Sequence, residues 1–464
     1  MSFHLQVSIL ACFVLILFYR YVLHPLLISP LSSIPAAHPL AAISTAWISY
    51  QRRRGHEIRS IKAAHKKYGQ IIRLSPTEVS VASLDGLRQI YTAGFEKDRW
   101  YVDEFMNYQT PNLVSMLDHR PHSVQKRMIS HVYSKSFIHS SPDMQKVSSI
   151  VLGERFLPAV GAAADAGQEV NVLEFSQASG MDFMSAYLFG LSNSTDFIRN
   201  IPERREYFST FKAKYLNSDS AATSRLEASC LSLCRKADAY LHSPSVEKSS
   251  QATHPVVYSQ LAGQLAKTTS APRIEAVASE MFDHLLASHE ATGITMTYIM
   301  HSLSQRPELQ SALRSELLTL SPTFSASPGT SSAMTLPHAN ALDALPLLNA
   351  IVYETLRVYP AAPAPQPRIA PKGGAVIEGF KIPEGTRVST NAHVMHRHEG
   401  AYPNADEWIC ERWLKGDGKG KGGEKIAGAA GGTVEMRRWF WAFGSGGRMC
   451  VGSNFALLGE SMVL

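Results

Sequence analysis

The sequence predicts a mainly α-helical body with a small β-sheet region. Three observations carry that prediction. Apolar residues recur at helical spacing from about residue 55 onward, broken locally by Pro and Gly. Residues 272–305 hold the pattern over a length of about 50 Å at 1.5 Å per residue. Strand signals cluster only between about 366 and 395, where GGAVIEGFKIPEGTRVST alternates β-branched residues with turn glycines and prolines. A composition of 45% hydrophobic and 18% charged residues, with 17 Tyr and 19 Phe, supports a sizeable core and excludes a disordered chain. The net charge of +6 over 464 residues is too diffuse for nucleic acid and suits an anionic membrane surface or an acidic protein.

Taken in order, the first element is apolar. No charged residue occurs from Met1 to Tyr19, a helix of about 28 Å that is close to one hydrocarbon thickness. A cleaved signal peptide is the competing account, but no Lys or Arg precedes the run and no small-x-small cleavage site follows it. The expectation is a transmembrane anchor over residues 1–24. Arg20, Arg52, Arg53 and Arg54 follow the span, which places the rest of the chain on the cytoplasmic side. Pro25, Pro30, Pro35 and Pro39 predict a stiff, non-helical linker over 25–54, and the body then occupies 55–464.

Within the body, the stretch from Asn217 to Pro272 is rich in Ser, Ala and Thr and reads as helices joined by loops. GDGKGKGGEKIAGAAGG (416–432) has too few apolar residues to pack and reads as a surface loop. The long helix starts near Pro272 and stops before Pro307, with an apolar stripe of Ile274, Val277, Met281, Leu285, Met296, Ile299 and Leu303. Ser288 and Thr292 interrupt that stripe. Either their hydroxyls bond back to carbonyls one turn earlier, or this face borders a cavity holding water or a polar ligand.

The five cysteines, Cys12, Cys230, Cys234, Cys410 and Cys450, are odd in number and scattered, so reduced thiols are expected. Cys230 and Cys234 lie one turn apart with no second pair nearby, which favours helix packing over a metal site. Cys450 stands differently. Phe443, Gly446, Arg448, Cys450 and Gly452 form F-x-x-G-x-R-x-C-x-G. Glycines let a backbone approach a flat macrocycle and aim amides at sulfur, and an arginine can pair with a propionate. With these five positions the chain resembles the cytochromes P-450, the heme-thiolate monooxygenases.

The resemblance implies the cytochrome P-450 fold, a heme b whose iron is held by the Cys450 thiolate, and a substrate pocket beneath the long helix. Other landmarks follow in the family's order. Glu354 and Arg357 of ETLR would join Arg412 of WICERWL in an ion network, although Cys410 stands where the family has proline. By spacing alone the first two make only a surface ion pair. Arg368, together with His122 and Lys126 of HSVQKR (Arg127 being the alternative to Lys126), would be further cofactor-binding donors; solvated charge is the plain account of each. ASHEAT (287–292) matches the oxygen-activation segment in part: Glu290 and Thr292 would be catalytic, while Ser288 and Ala291 replace the usual glycine and first threonine. Thr292 sits about 100° around the helix from the usual hydroxyl. The resemblance also implies that the chain ends early, part-way through the helix that follows the cysteine loop, with fourteen residues after Cys450.

The function implied is insertion of one oxygen atom from O2 into a lipophilic substrate, with electrons from an NADPH reductase at the endoplasmic reticulum membrane and the body facing the cytoplasm. Arg437, Arg438 and lysines 419, 421 and 425 would form a basic rim for that acidic partner, or be solvated loop charge. YSKSF (133–137) and RRWFWAFGSGGRMC are similar to filamentous-fungal members, many of which act in secondary metabolism. Two other readings stand beside it. A reductase-independent isomerase or dehydratase is motivated by Ala291, and a truncated, catalytically silent heme-binding membrane protein by the short tail. Product formation that requires NADPH and reductase separates the first two, and failure to retain heme marks the third.

Overall fold

The computed structural model describes residues 3–217, 219–243, 253–268, 273–321, 336–414 and 431–464. Pro272, the glycine-rich loop up to residue 430 and its three lysines lie outside the described residues. The body is helical around one small sheet, as the periodicity predicts.

That sheet has the order β1-β2-β7-β4-β3, formed by Ile71–Ser75 (β1), Glu78–Val81 (β2), Glu96–Lys97 (β3), Arg368–Ile369 (β4) and Arg387–Ser389 (β7). A separate hairpin pairs Ala375–Ile377 (β5) with Phe380–Ile382 (β6) around Glu378 and Gly379, both at positive φ. Strands therefore come from 71–97 as well as from the predicted 366–395. Buried on both faces, β1 and β2 lack the alternation that marks a strand by eye. The parallel pairing of β2 with β7 joins the two ends of the chain, and it puts Lys97 of β3 opposite Arg368 of β4.

The N-terminal helix runs Phe3–Phe18 with no buried residue and continues as wider π turns over Tyr19–Ile28. The helix thus passes through Pro25, where a non-helical linker is expected. The freed Pro25 carbonyl accepts a bond of 2.8 Å from Arg73 Nη1, and Arg73 is itself buried in β1. The linker is also less of a spacer than its prolines suggest. Leu31 and Ile34 are buried, Ala36 bridges to Arg73, and the helix Ala46–Arg53 buries Ile48. The apolar helix is tied at its base to the sheet.

The long helix spans Ile274–Ser304, and Val277, Met281, Leu285, Met296 and Ile299 of the predicted stripe are buried. It crosses the helix Val172–Phe189, which is buried from Phe175 to Phe189 except at Gln177. Small residues make the crossing tight: a Cβ on Gly180 would lie 3.1 Å from the Ser288 carbonyl, and one on Gly293 would lie 2.6 Å from Gln177 Cγ. Ser288 uses this contact, donating to the Gly180 carbonyl at 3.2 Å instead of to its own helix.

The helix Pro346–Val358 carries Glu354 and Arg357, both fully buried, so the pair is not a surface bridge. Glu354 accepts from Arg357 Nε and Nη2, Arg412 Nε, Trp413 Nε1 and the Ile409 amide at 2.7 to 3.0 Å. Arg357 also binds the carbonyls of His396, Ala405 and Glu407. The expected three-residue network therefore forms. Cys410 is buried at the first position of the 3-10 turn Cys410–Trp413, so the loop closes without the proline. Of the basic rim, Arg438 is exposed and pairs with Glu435, while Arg437 is half-buried and donates to the Gly432 carbonyl.

Candidate active site

The cysteine loop is a set of tight turns closed on itself. The Cys450 amide donates to the Phe443 carbonyl at 2.9 Å, and the Met449 amide to Gly446 at 3.1 Å. Gly446 is required twice: its φ is +69°, and a Cβ there would lie 2.4 Å from the Tyr91 carbonyl oxygen. Lys126 Nζ holds the loop from outside through the carbonyls of Gly447 and Met449, at 3.0 and 2.6 Å. Gly452 caps the helix Ser453–Val463, and its amide bonds the Cys450 sulfur. Burial pushes the Cys450 thiol up, while this amide and Lys126 draw it back toward thiolate.

Although protein surrounds it, Cys450 keeps accessible surface because it opens into a cavity of about 390 Å³. The loop supplies one wall through Phe443, Met449, Cys450 and Gly452. The long helix supplies another through Ala287, Ser288, Ala291, Thr292 and Thr295. Of the two readings of Ser288 and Thr292, the cavity is the one that holds.

One end of the cavity is basic. Lys97, His122, Lys126, Arg368 and Arg448 converge there from four elements, His122 and Lys126 sharing one helix. Arg448 donates to the Met116 and Leu117 carbonyls and to Glu96, yet its buried Nε has no partner among the described residues. Arg368 donates to Tyr101 Oη and the Pro367 carbonyl at 3.0 and 2.8 Å, with its guanidinium over the Tyr91 ring. His122 is buried, and burial followed by Lys97 and Arg448 pushes it down to about 3. Lys97, absent from the sequence reading, donates to the Leu113 and Val114 carbonyls; burial, then Arg448 and Arg368, pushes it down to about 6. Only a two-residue strand carries Lys97, so no periodicity marks it.

Clustered basic groups, with Lys97, His122, Lys126 and Arg448 pushed down chiefly by burial, and an orphaned guanidinium nitrogen form a wall suited to anions. A thiol aimed into the same cavity and a glycine-cleared approach to it complete a fit for heme, with its two propionates at the basic end.

Glu290 does not reach this cavity. It accepts from Gln177 Nε2 at 2.7 Å and lies 3.4 Å from His289 Nε2, on the side facing the crossing helix. Burial nudges its carboxyl up and Gln177 opposes the shift. Thr292 does line the cavity. The acids that face it are others: Glu280 and Asp283, about three turns before Thr292 on the long helix, and Glu460 on the helix after the cysteine. Glu460 is buried with Oε2 unpartnered among the described residues, and burial pushes it up to about 8 against a hydrogen bond with Thr295. Charged residues inside an apolar stripe were the available signal for Glu280 and His284, four apart on the cavity-facing row.

With this geometry in place, the comparisons agree with it. Residues 38–464 match the family model for cytochrome P450. A cytochrome P450 monooxygenase of Aspergillus versicolor, avaI, is 29% identical over 87% of this chain and 95% of its own length. Another from Penicillium roqueforti, ORF9, is 27% identical over 94% of this chain and 82% of its own. A crystal structure of a cytochrome P450 (CYP102L1) superposes with a TM-score of 0.64 at 15% identity, covering 88% of this chain and 89% of that one. The chain belongs to the cytochrome P450 family, oxidoreductases whose heme iron activates oxygen.

Proposed function

We propose that this protein is a membrane-bound heme-thiolate monooxygenase that inserts one oxygen atom from O2 into a lipophilic substrate in fungal secondary metabolism. The observation that carries the reading is Cys450, presented to an internal cavity by a loop bonded at Gly446, Gly452 and Lys126 and faced by five basic groups. When bound, heme supplies the oxygen-activating chemistry, and thiolate ligation favours O–O cleavage.

The chain's own residues then have separable roles. Cys450 ligates iron, with the Gly452 amide stabilising charge on its sulfur. Arg448, Arg368, His122 and Lys97 would receive the propionates, while Lys126 chiefly holds the loop by its carbonyls. Phe443 lines the cavity and accepts the Cys450 amide through its carbonyl, and Gly446 keeps the loop close to Tyr91. Ala291 and Thr292 line the cavity, where Thr292 would order protons for the bound group's chemistry, and Glu290 would act from behind through Gln177 and His289. The apolar helix anchors the chain in the endoplasmic reticulum membrane with the body toward the cytoplasm, where an NADPH reductase supplies electrons. Its candidate span lies in Phe3–Ile28, where an 18-residue window has a mean hydropathy of 2.0 and none of it is buried, which supports a membrane span.

The test is the carbonyl spectrum. Dithionite-reduced protein with CO should show the long-wavelength band of thiolate ligation, and Cys450→Ser should abolish it. Identical heme binding in that variant would remove the ligand assignment. Ala291, which leaves the cavity face without the first hydroxyl, favours one second reading, a reductase-independent isomerase or dehydratase; product formation without NADPH would select it.

A further inference from the structure

The acidic face of the cavity has no place in the roles above. Glu280 is fully engaged: its carboxylate accepts from the Leu113 amide at 3.1 Å, Gln125 Nε2 at 2.7 Å and His284 Nε2 at 3.1 Å. His284 in turn bonds Tyr133 Oη at 2.9 Å. These contacts tie the long helix to its neighbours and account for Glu280 structurally. Asp283, three residues on, is different. It lines the cavity, is only 7% exposed, and has no hydrogen bond or ion pair among the described residues.

We propose that Asp283 is the recognition point for a positively charged nitrogen, an ammonium or guanidinium, on the substrate. The inference rests on the monooxygenase reading, whose substrate class it narrows from lipophilic to lipophilic and cationic. The basic groups that act on Asp283 are committed elsewhere: His284 is bonded through Nε2 to Glu280 and through Nδ1 to Tyr133. Lys97 Nζ is bound to two carbonyls, and Lys214 Nζ lies over the Phe282 and Tyr215 rings at 5.0 and 4.9 Å. An unpaired carboxylate this buried destabilises the fold unless something charged meets it. Burial, reinforced by Glu280 and opposed by His284, Lys97 and Lys214, pushes Asp283 up to about 7, so an arriving cation would draw it fully into the ionised form. Asn would fill the same space without the cost of burying an acid, and the presence of an acid here is therefore explained by a ligand that ionises it.

The experiment uses the full chain with heme in nanodiscs and measures equilibrium binding of decyltrimethylammonium and decan-1-ol, corrected for empty nanodiscs. A quaternary ammonium cannot ligate iron, so the readout is independent of turnover. The wild type should bind the cation at least about tenfold more tightly than the alcohol, the scale of one hydrogen bond or contact to a charged group. Asp283→Asn should abolish the preference, and Asp283→Glu should retain most of it. Equal affinity for the two probes in the wild type would overturn the proposal without any variant having to fold. Parallel weakening of both probes by Asp283→Asn would do the same. Heme content and the carbonyl spectrum are recorded on each sample. An intact thiolate band with no cation preference refutes this inference alone, and a missing band in the wild type refutes the monooxygenase reading.

Discussion

Replacing Glu354 by alanine should unfold the protein more readily than any loss of a surface ion pair could. The side chain is fully buried and accepts five hydrogen bonds, three of them from the guanidinium groups of Arg357 and Arg412. Exposed pairs contribute at most about 1 kcal/mol, because water replaces the lost partner. Here water has no access. Arg357 would keep its three carbonyl contacts but stand fully buried without a counter-charge, and breaking such a pair from one side costs about 3 to 5 kcal/mol. Trp413 Nε1 and the Ile409 amide would lose their acceptor as well. That loss is a large share of the 5 to 15 kcal/mol typical of a folded protein. Urea unfolding followed by tryptophan fluorescence reports on the site directly, since Trp413 bonds Glu354 and Trp408 bonds Thr355 in the same helix. A loss below about 1 kcal/mol would refute the reasoning, as it would mean the network is solvated or relaxes freely.

Gly446→Ala should reduce heme retention after purification, because a strained φ of +69° and a Cβ at 2.4 Å from Tyr91 both act on the ligand loop; full retention would argue against the tight approach. Ala291→Thr should raise the fraction of NADPH consumed that appears as product and lower hydrogen peroxide release, measured together; unchanged release would mean that Thr292 or another route already handles the protons. Glu460 has a folded-state pKa raised from 4.5 to about 8, so the folded state binds the extra proton and stability falls as pH rises through that window. Glu460→Gln should flatten this decline, and a wild-type stability that rises from pH 4.5 to 8 by an amount Glu460→Gln leaves unchanged would contradict it.

Much of the site was legible in sequence because it is local. The ligand loop is ten residues long, and its glycines, arginine and cysteine are read from spacing alone. The pair Glu354 and Arg357 was legible for the same reason, being three apart on one helix. Burial was not legible, since it comes from the chain around His396 to Trp413 folding over that helix. Glu290 shows the limit of motif transfer. The acid is present, but it lies on the helix face toward the crossing helix, where Glu290 meets Gln177 and not the cavity.

The sequence by itself determined the helical class, the apolar N-terminal helix, the long helix and the thiol that identifies the family, because each is written in residues within a few turns of one another. Tertiary structure decided which charges share a wall. Lys97 meets Arg368 because β3 pairs with β4 across nearly three hundred residues of chain, and Asp283 is left unpaired because Lys97 and Lys214 are held by other groups. Such juxtapositions depend on topology and on competition for partners, neither of which has a period or a spacing to read.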